Sequence, residues 1–518
     1  MATHIQLAAL AACIACTGTS IASAHPIAPA SNRISFGYPT PRMHPPARPP
    51  VPHVRITPAD RLRAVAGGWQ EVVAPAPFGA NGAGTALLMT DGTVMIQDNE
   101  SSWYSLTPDN TGNYVNGTWT QKASLPSGYG PLYFASAVLA DGSLIINGGE
   151  YNFFKSAETN LGAIYNPLAN TWTAVAPPSG WSSIGDGQSA VLADGTYMLG
   201  NCCTSLQALF NEKKASWTQT GTGKDDTNSE EGWTLLASGN VLTADVAAEP
   251  NSESYSPASG AWKTAGKIPV DLIQAFEIGP QMLRPDGTVF VAGASGATAV
   301  YDTAKGSWAA GPSFPKIGGE QVDIADGPSA LLPGGDVIMA ASPGVYSTPS
   351  YFFLFNGTKL TQIAGPPNAP NNSSYNYRLL VLPTGQILET DSSDDVEIYT
   401  SNTKELRSIA PVIGKVATTL THGTTYPISG KRFNGASQAN AYGDDAQSAT
   451  NYPLVAITNT ASGHVVFART HGHSSMAVGS QATVSTNFDV PAKIELGSSK
   501  LVVVTNGIQS APVTVTIK

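Results

Sequence analysis

Short apolar runs interrupted by a polar turn recur seven times along the chain. They read ALLMTDGTVMI, SAVLADGSLII, SAVLADGTYML, WTLLASGNVLT, PQMLRPDGTVFV, SALLPGGDVIM and LLVLPTGQILE. Their turn glycines, Gly92, Gly142, Gly195, Gly239, Gly287, Gly335 and Gly385, are 50, 53, 44, 48, 48 and 50 residues apart. Two apolar runs around Asp-Gly, Ser-Gly or Gly-Gly predict a β-hairpin with a two-residue turn, because glycine supplies the positive φ such turns need. A third segment follows each hairpin and carries Tyr104, Tyr165, Phe210, Tyr255, Tyr301, Phe355 or Tyr399. A fourth carries Trp119, Trp172, Trp217, Trp262 or Trp308, with Leu360 and Leu406 in the last two repeats. Four strands per unit at this period predict an all-β chain with a seven-bladed kelch-type β-propeller over 68–410. The recurring aromatics are expected to fill the space between blades, and a strand around Trp69 to help close the ring.

The period changes after residue 410. TYPISGKRF, PLVAITNT, HVVFART, ATVSTNFDV, KLVVVTNG and APVTVTIK are short alternating strands with turns about every ten residues. They predict an immunoglobulin-like β-sandwich over 411–518. At the other end, Ile5 to Ala15 is apolar and Ala22-Ser23-Ala24 suits a signal-peptide cleavage site, so 1–24 reads as an export signal. A lipoprotein box ending at Cys13 is the minor alternative. Both place the protein outside the cytoplasm, secreted or in the periplasm or cell envelope. Residues 25–67 are proline-rich and read as an extended linker. No run reaches the length of a membrane helix.

Composition narrows the partners. The formal charge of −10 argues against nucleic acid, which needs clustered Lys and Arg. With Cys13 and Cys16 in the leader, only Cys202 and Cys203 remain, so no disulfide framework holds the fold. The adjacent pair could close into an eight-membered disulfide ring or stay as thiols. As two soft ligands they would suit Cu(I), but no histidine lies between His53 and His422 to complete a typical site.

The hairpins serve as rulers for candidate chemistry. Residues about nine before and seven after each turn glycine should meet at one mouth of the central channel. Nine before gives Ala83, Tyr133, Asp186, Glu230, Ile278, Asp326 and Asn376, with Glu231, Glu277, Asp323, Tyr375, Tyr377 and Arg378 beside them. Six to eight after gives Asn99, Glu100, Glu150, Cys202, Cys203, Asp245 and Asp391. Only 12% of the chain is charged, so this is a concentration of acids. Mutual repulsion should raise some of their pKa values unless a cation or Arg378 offsets it. Asp186, Glu230 and Asp326 are the candidate catalytic set. Paired carboxylates could serve acid–base glycoside hydrolysis, and three or more oxygens could hold Ca²⁺. Single acids at such places also satisfy loop N–H groups.

The seven hairpins, the following sandwich and Tyr375-Asn376 ahead of LLVLPTG resemble the galactose oxidase and glyoxal oxidase group of copper radical oxidases, over about 68–518. That resemblance implies a copper site near Tyr375, with a histidine beside it, a Cys–Tyr cross-link, and a second histidine sent into the channel by the C-terminal domain. Here the adjacent histidine is Asn376, the cross-linked pair corresponds to Tyr133 and Asp186, and the loop AYGDDAQSATNYPL offers Asp444, Asp445 and Gln447 instead of histidine. The resemblance therefore carries the fold but disfavours copper and the oxidase activity. AYGDDAQSATNYPL and RTHGHSSMAVG look like a recurring bacterial version of this C-terminal domain. His471 and His473, two apart on one strand face, are metal candidates together with Asp444 or Asp445; structural histidines at the domain interface are the plainer reading.

No serine-hydrolase elbow or phosphate loop is present. The leading expectation is an exported propeller that binds a carbohydrate-like or other small polar ligand at an acidic mouth. The alternatives are a hydrolase or lyase using the channel carboxylates, with Ca²⁺ as its candidate cofactor, and a surface protein-interaction module.

Overall fold

A computed structural model describes residues 68–518. The expected leader and linker, with Cys13, lie outside the described residues. The rest is all-β apart from four short 3-10 turns. No helix among the described residues is long and apolar enough to cross a membrane.

Six of the repeats fold as four antiparallel strands, as in Ala86–Leu88, Val94–Gln97, Trp103–Thr107 and Thr118–Gln121, the second repeat with a small hairpin between its second and third strands. The last repeat supplies only Arg378–Val381, Ile387–Thr390 and Glu397–Thr400, and Gly68–Glu71 completes its sheet. Trp69 pairs with Tyr399, so Trp69 occupies the outer-strand place assigned to Leu406. Leu406 instead precedes the 3-10 turn Arg407–Ile409 and packs by Gly335. Joining the first strand to the last sheet gives Glu397–Thr400 its outer partner and ties the start of the ring to its end.

The innermost strands pack side by side around an axis, as a β-propeller. Ala86–Leu88 lies on Ala135–Val138, and that strand on Ser189–Val191; Thr234–Leu235 lies on Ile278–Leu283, then come Ser329–Leu331 and Arg378–Val381, which returns to Ala86–Leu88. The Gln188 side chain, donating to the Asn228 carbonyl, spans the remaining step. On the outer strands, Trp119, Trp172 and Trp217 each donate their indole N–H to a backbone carbonyl before the preceding outer turn, Ala74, Ala123 and Ala176. Each tryptophan thus partly buries its ring against the core and satisfies its polar edge at once.

The hairpin loops have three residues, not two. Met89 N–H bonds to Thr93 O at 2.7 Å and Gly92 N–H to Met89 O at 3.0 Å. Only the glycine adopts positive φ, from 78° at Gly92 to 90° at Gly195. The aspartate before it accepts from the N–H two residues on, as Asp91 does from Thr93 at 3.0 Å. This is a type I turn closed by a left-handed glycine, which demands nothing special of the aspartate's φ.

Residues from Val412 onward form two sheets that share one apolar core of Leu420, Ile428, Val455, Phe488, Leu501 and Val515. This unit sits on the hairpin-turn end of the propeller. Thr470, His473 and Met476 donate backbone N–H groups to the turn carbonyls of Thr90, Ala140 and Ala193. From it a finger runs up the axis. Asn440–Ala441 pairs with Ser329–Leu331, Gln438 accepts from Leu235 N–H at 2.7 Å, and Asn440 accepts from Val381 N–H at 2.9 Å. The inner edges of three sheets thereby find partners they would otherwise lack.

Candidate functional site

The finger ends where the inner strands begin. Its tip, Gly443-Asp444-Asp445, lies against the loops that lead into those strands. A side chain at Gly232 would strike the Gly443 carbonyl, and one at Gly443 would strike Asp326. Nine residues before their turn glycines, Tyr133, Glu230 and Asp326 take left-handed φ values of 50°, 59° and 45°. Non-glycine residues are strained there, and the three occupy one equivalent place in three repeats.

These loops and the finger gather Glu150, Asp186, Glu230, Glu277, Asp326, Asp444 and Asp445 into mutual electrostatic contact. Burial is the first cause that raises each of them, and their neighbours' charges add to it for most. Asp186 is pushed up to about 7, by burial and then by Asp445. Glu230 stands well above the usual carboxylate range through burial, then Glu277, Asp186 and Asp444. Tyr346 donates to Glu277, which partly offsets its burial and the charge of Asp326. Asp445 is raised least clearly because Arg378 opposes its burial.

Arg378 is the cation of the cluster. Its guanidinium lies 3.9 Å from the ring centre of Tyr442 and 5.7 Å from that of Tyr133. Its Nη1 donates to the carbonyls of Tyr375 and Tyr377 at 2.9 and 2.8 Å. It is spent on orienting that turn and acts on Asp445 and Asp326 through space. One guanidinium cannot neutralise seven carboxylates. Glu277 Oε2 and Asp444 Oδ2 are buried without a hydrogen-bond partner among the described residues, while backbone N–H groups near Asp445 favour its ionised form. Burying such oxygens unpaired is costly, so the arrangement calls for protons or a cation.

Three sets of three carboxylates have ligand oxygens within 4.8 Å of one another: Asp186, Glu230 and Asp444, and Glu230, Glu277 and Asp326 in this cluster, and Asp226, Glu231 and Asp245 beside Lys224. Glu230 belongs to both sets of this cluster. Hard oxygen donors in this number suit a hard divalent cation.

Several expected residues lie elsewhere. Glu231 follows Glu230 but faces the other way. Its carboxylate meets Lys224 Nζ at 2.8 Å and accepts from Thr243 Oγ1 at 3.1 Å. Asp323 sits in the strand Glu320–Asp323, pushed up to about 8 by burial, outside the cluster. Asn376 donates to Asn372 Oδ1 at 2.7 Å. His471 and His473 do not join Asp444 or Asp445. His471 bonds Asp489 at 3.1 Å, His473 bonds Thr486 at 2.9 Å, and no metal-capable group among the described residues includes either. Burial drives His473 down to about 3, which keeps it a neutral interface residue. Cys202 and Cys203 are thiols rather than a disulfide ring, and Cys202 Sγ lies 3.5 Å from Glu158 Oε2.

Tyr346 and Glu158 were missed because neither stands at a ruler position. Tyr346 is on the loop after Val337–Pro343, and Glu158 follows the small hairpin Tyr151–Asn152 and Lys155–Ser156. The signal in the sequence is a longer separation between turn glycine and third-segment aromatic, 23 residues from Gly142 to Tyr165 and 20 from Gly335 to Phe355, against 12 to 16 in the other repeats.

No protein family matches the chain, and neither does any curated protein. Among solved structures, it is similar to a fungal alcohol oxidase of the AA5 family in complex with copper, at 13% identity and a TM-score of 0.42, covering 87% of this chain and 94% of that one. It is similar to virginiamycin B lyase from Staphylococcus aureus with quinupristin, at 10% identity and 0.47, covering 64% and 99%. It is also similar to the WD40 β-propeller domain of Doa1, at 12% identity and 0.40, covering 65% and 98%. At such identities no residue role passes from these proteins to this chain.

Proposed function

We propose that the protein is an exported, seven-bladed kelch-type propeller of the galactose oxidase-like kind, with an immunoglobulin-like C-terminal sandwich, and that its channel mouth binds a carbohydrate-like ligand with the help of a hard divalent cation such as Ca²⁺. The shared carboxylate of Glu230, common to two sets of three acids of which only Asp326 is partly exposed, carries this reading. Asp186, Asp444, Glu277 and Asp326 complete the oxygen set. Around it, Tyr133, Tyr346, Tyr375 and Asn376 are partly exposed and offer ring faces and hydroxyl or amide groups to a polyol. Tyr346 and Tyr375 meet edge to face at 5.1 Å, which fixes both rings.

Calcium chloride alone is the first titrant for calorimetry on the purified full chain. Saturable Ca²⁺ binding lost in Glu230→Gln is expected, followed by Ca²⁺-dependent retention on a glycan array that Tyr375→Ala weakens. Unaltered Ca²⁺ binding in Glu230→Gln would sink the proposal. A hydrolytic reading has one specific support: Asp186 at about 7, beside more strongly acid-holding neighbours, is suited to proton transfer near neutrality. It requires Asp186→Asn to abolish turnover while leaving Ca²⁺ binding measurable.

A further inference from the structure

We infer that Glu158, Cys202 and Cys203 form a second metal site, for a borderline divalent ion of the zinc class, on the rim of the acidic mouth. One ligand atom from each lies within 4.8 Å of the others. The two cysteines are neighbours in sequence, and the fold brings Glu158 to them from 44 residues away.

The cysteine turn is anchored on both sides. Cys202 N–H bonds to Ile184 O at 3.0 Å, and Ser229 Oγ donates to Cys202 O at 2.8 Å. Asn201 Nδ2 donates to Ser183 O at 2.6 Å, and Asn228 N–H bonds to Thr204 O at 2.8 Å. On the other side, the N–H groups of Ala157 and Glu158 both bond to Glu150 O, at 2.9 and 3.2 Å. Gly185 lies between the two: a Cβ there would run into both Glu158 Oε2 and Cys202 Sγ. Glycine at 185 is what lets the thiol and the carboxylate approach.

The donor set selects the ion. Two sulfurs disfavour Ca²⁺, and a carboxylate as third donor disfavours Cu(I), which leaves ions of zinc character. Three protein donors leave one tetrahedral position for water or a ligand atom. Cys203 and Glu158 are partly exposed while Cys202 is buried, so the ion has an entry path from the mouth. Binding replaces the thiol protons, which leave to solvent, and two thiolate–metal bonds form with no change of oxidation state. The site shares no residue with the Glu230 carboxylates and does not rest on their role.

Co²⁺ is the probe, added to the reduced full chain without oxygen. One equivalent should bind with a near-ultraviolet thiolate-to-cobalt charge-transfer band, displaced by Zn²⁺. The band should be lost or roughly halved in Cys202→Ser and in Cys203→Ser. Glu158→Gln should retain it with affinity weaker by roughly tenfold or more. Glu230→Gln, which removes the carboxylate site, should leave the band intact. The inference is overturned by wild-type protein that shows no band, by a band indifferent to Cys203→Ser, by a Co²⁺ affinity indifferent to Glu158→Gln, or by a band that disappears in Glu230→Gln. A folded wild type whose two thiols prove oxidised to each other on isolation, and bind no Co²⁺ after reduction, overturns it as well. Gly185→Ala supplies a check that leaves every donor in place, and it should lower Co²⁺ affinity.

Discussion

Two buried acidic groups lie next to each other in this molecule, and they solve the same electrostatic problem differently. Around Asp226, Glu231 and Asp245 the chain supplies its own cation. Lys224 Nζ meets Glu231 at 2.8 Å and Glu253 at 2.7 Å, with no exposed side-chain surface, and stacks 5.0 Å from the Trp262 ring centre. Asp226 Oδ2 accepts the N–H groups of Val246, Ala247 and Ala248. Around Glu230 the nearest cation, Arg378, is engaged with backbone carbonyls, and carboxylate oxygens are left over. The first group holds a cation in contact with its acids, although both oxygens of Asp245 are buried there too without a hydrogen-bond partner among the described residues. The second relies on a guanidinium that acts through space. Proximity of acids and unpartnered oxygens are common to both, so it is the cation in contact that separates them.

Removing Lys224 should break the comparison most severely. Lys224→Met keeps the stem that packs on Trp262 but leaves Glu231 and Glu253 buried without their cation. Breaking a buried pair from one side costs about 3–5 kcal/mol, so urea unfolding should show a loss of that order. Ca²⁺ binding at the mouth should survive in whatever fraction remains folded. Equal loss of Ca²⁺ binding by the folded fraction would mean that the two groups are one.

The next effect comes from pH and cation together. Asp186 rises from 3.8 to about 7 on folding, so the folded protein holds its proton more tightly than the unfolded chain does. Stability from this group is complete below the unfolded value and is lost as pH rises through about 7. Thermal melts without divalent cation should therefore fall across that window. At a Ca²⁺ concentration of about 100 times its Kd, the gain is about 2.7 kcal/mol, and it should grow from pH 5 to pH 8 as the carboxyls ionise. Glu230→Gln should remove that gain. Asp245, pushed up to about 8 by burial against the pull of Lys224, adds a further decline that Ca²⁺ does not reverse. A Ca²⁺ gain that is flat with pH would contradict the assignment.

The propeller was legible because its repeats are redundant: seven glycines at a near-constant spacing fix strand order and turn placement even where one repeat departs from the pattern. Trp69 shows the limit. Its partner Tyr399 lies more than three hundred residues away, and nothing local says that the first strand belongs to the last sheet. The rulers placed Asp186, Glu230 and Asp326 because position along an inner strand translates directly into height along the axis. They could not separate Glu230 from Glu231, since neighbours on an extended chain face opposite ways and the loop's left-handed turn at Glu230 decides which faces inward. Glu158 and Tyr346 arrive from loop excursions that repeat spacing does not describe. The strand expected to carry both histidines ends at His471, and Gly472 with φ 63° turns the chain before His473; the partners that occupy them, Asp489 and Thr486, come from the facing strand and not from the finger.

The smallest test is a matched pair of hydroxyl deletions. Tyr346 donates to Glu277 in the mouth, and Thr243 donates to Glu231 in the Lys224 group. Each hydroxyl is one hydrogen bond to a buried carboxylate, and removing either should cost roughly 1.5–3 kcal/mol at most, less where the acid simply keeps its proton. The two should nevertheless differ in kind. Tyr346→Phe takes away a group that favours the charged form of Glu277, so its carboxyl should climb further and Ca²⁺ affinity should fall severalfold, by less than in Glu230→Gln. Thr243→Val, nearly the same volume and fully buried, should lower the melting temperature by a similar amount and leave Ca²⁺ affinity where it was. Calorimetric titration of both variants at one pH reads the difference directly. If Thr243→Val moved the affinity as far as Tyr346→Phe, the division between a self-neutralised group and a ligand-seeking one would not hold, because the ion would then be sensing both.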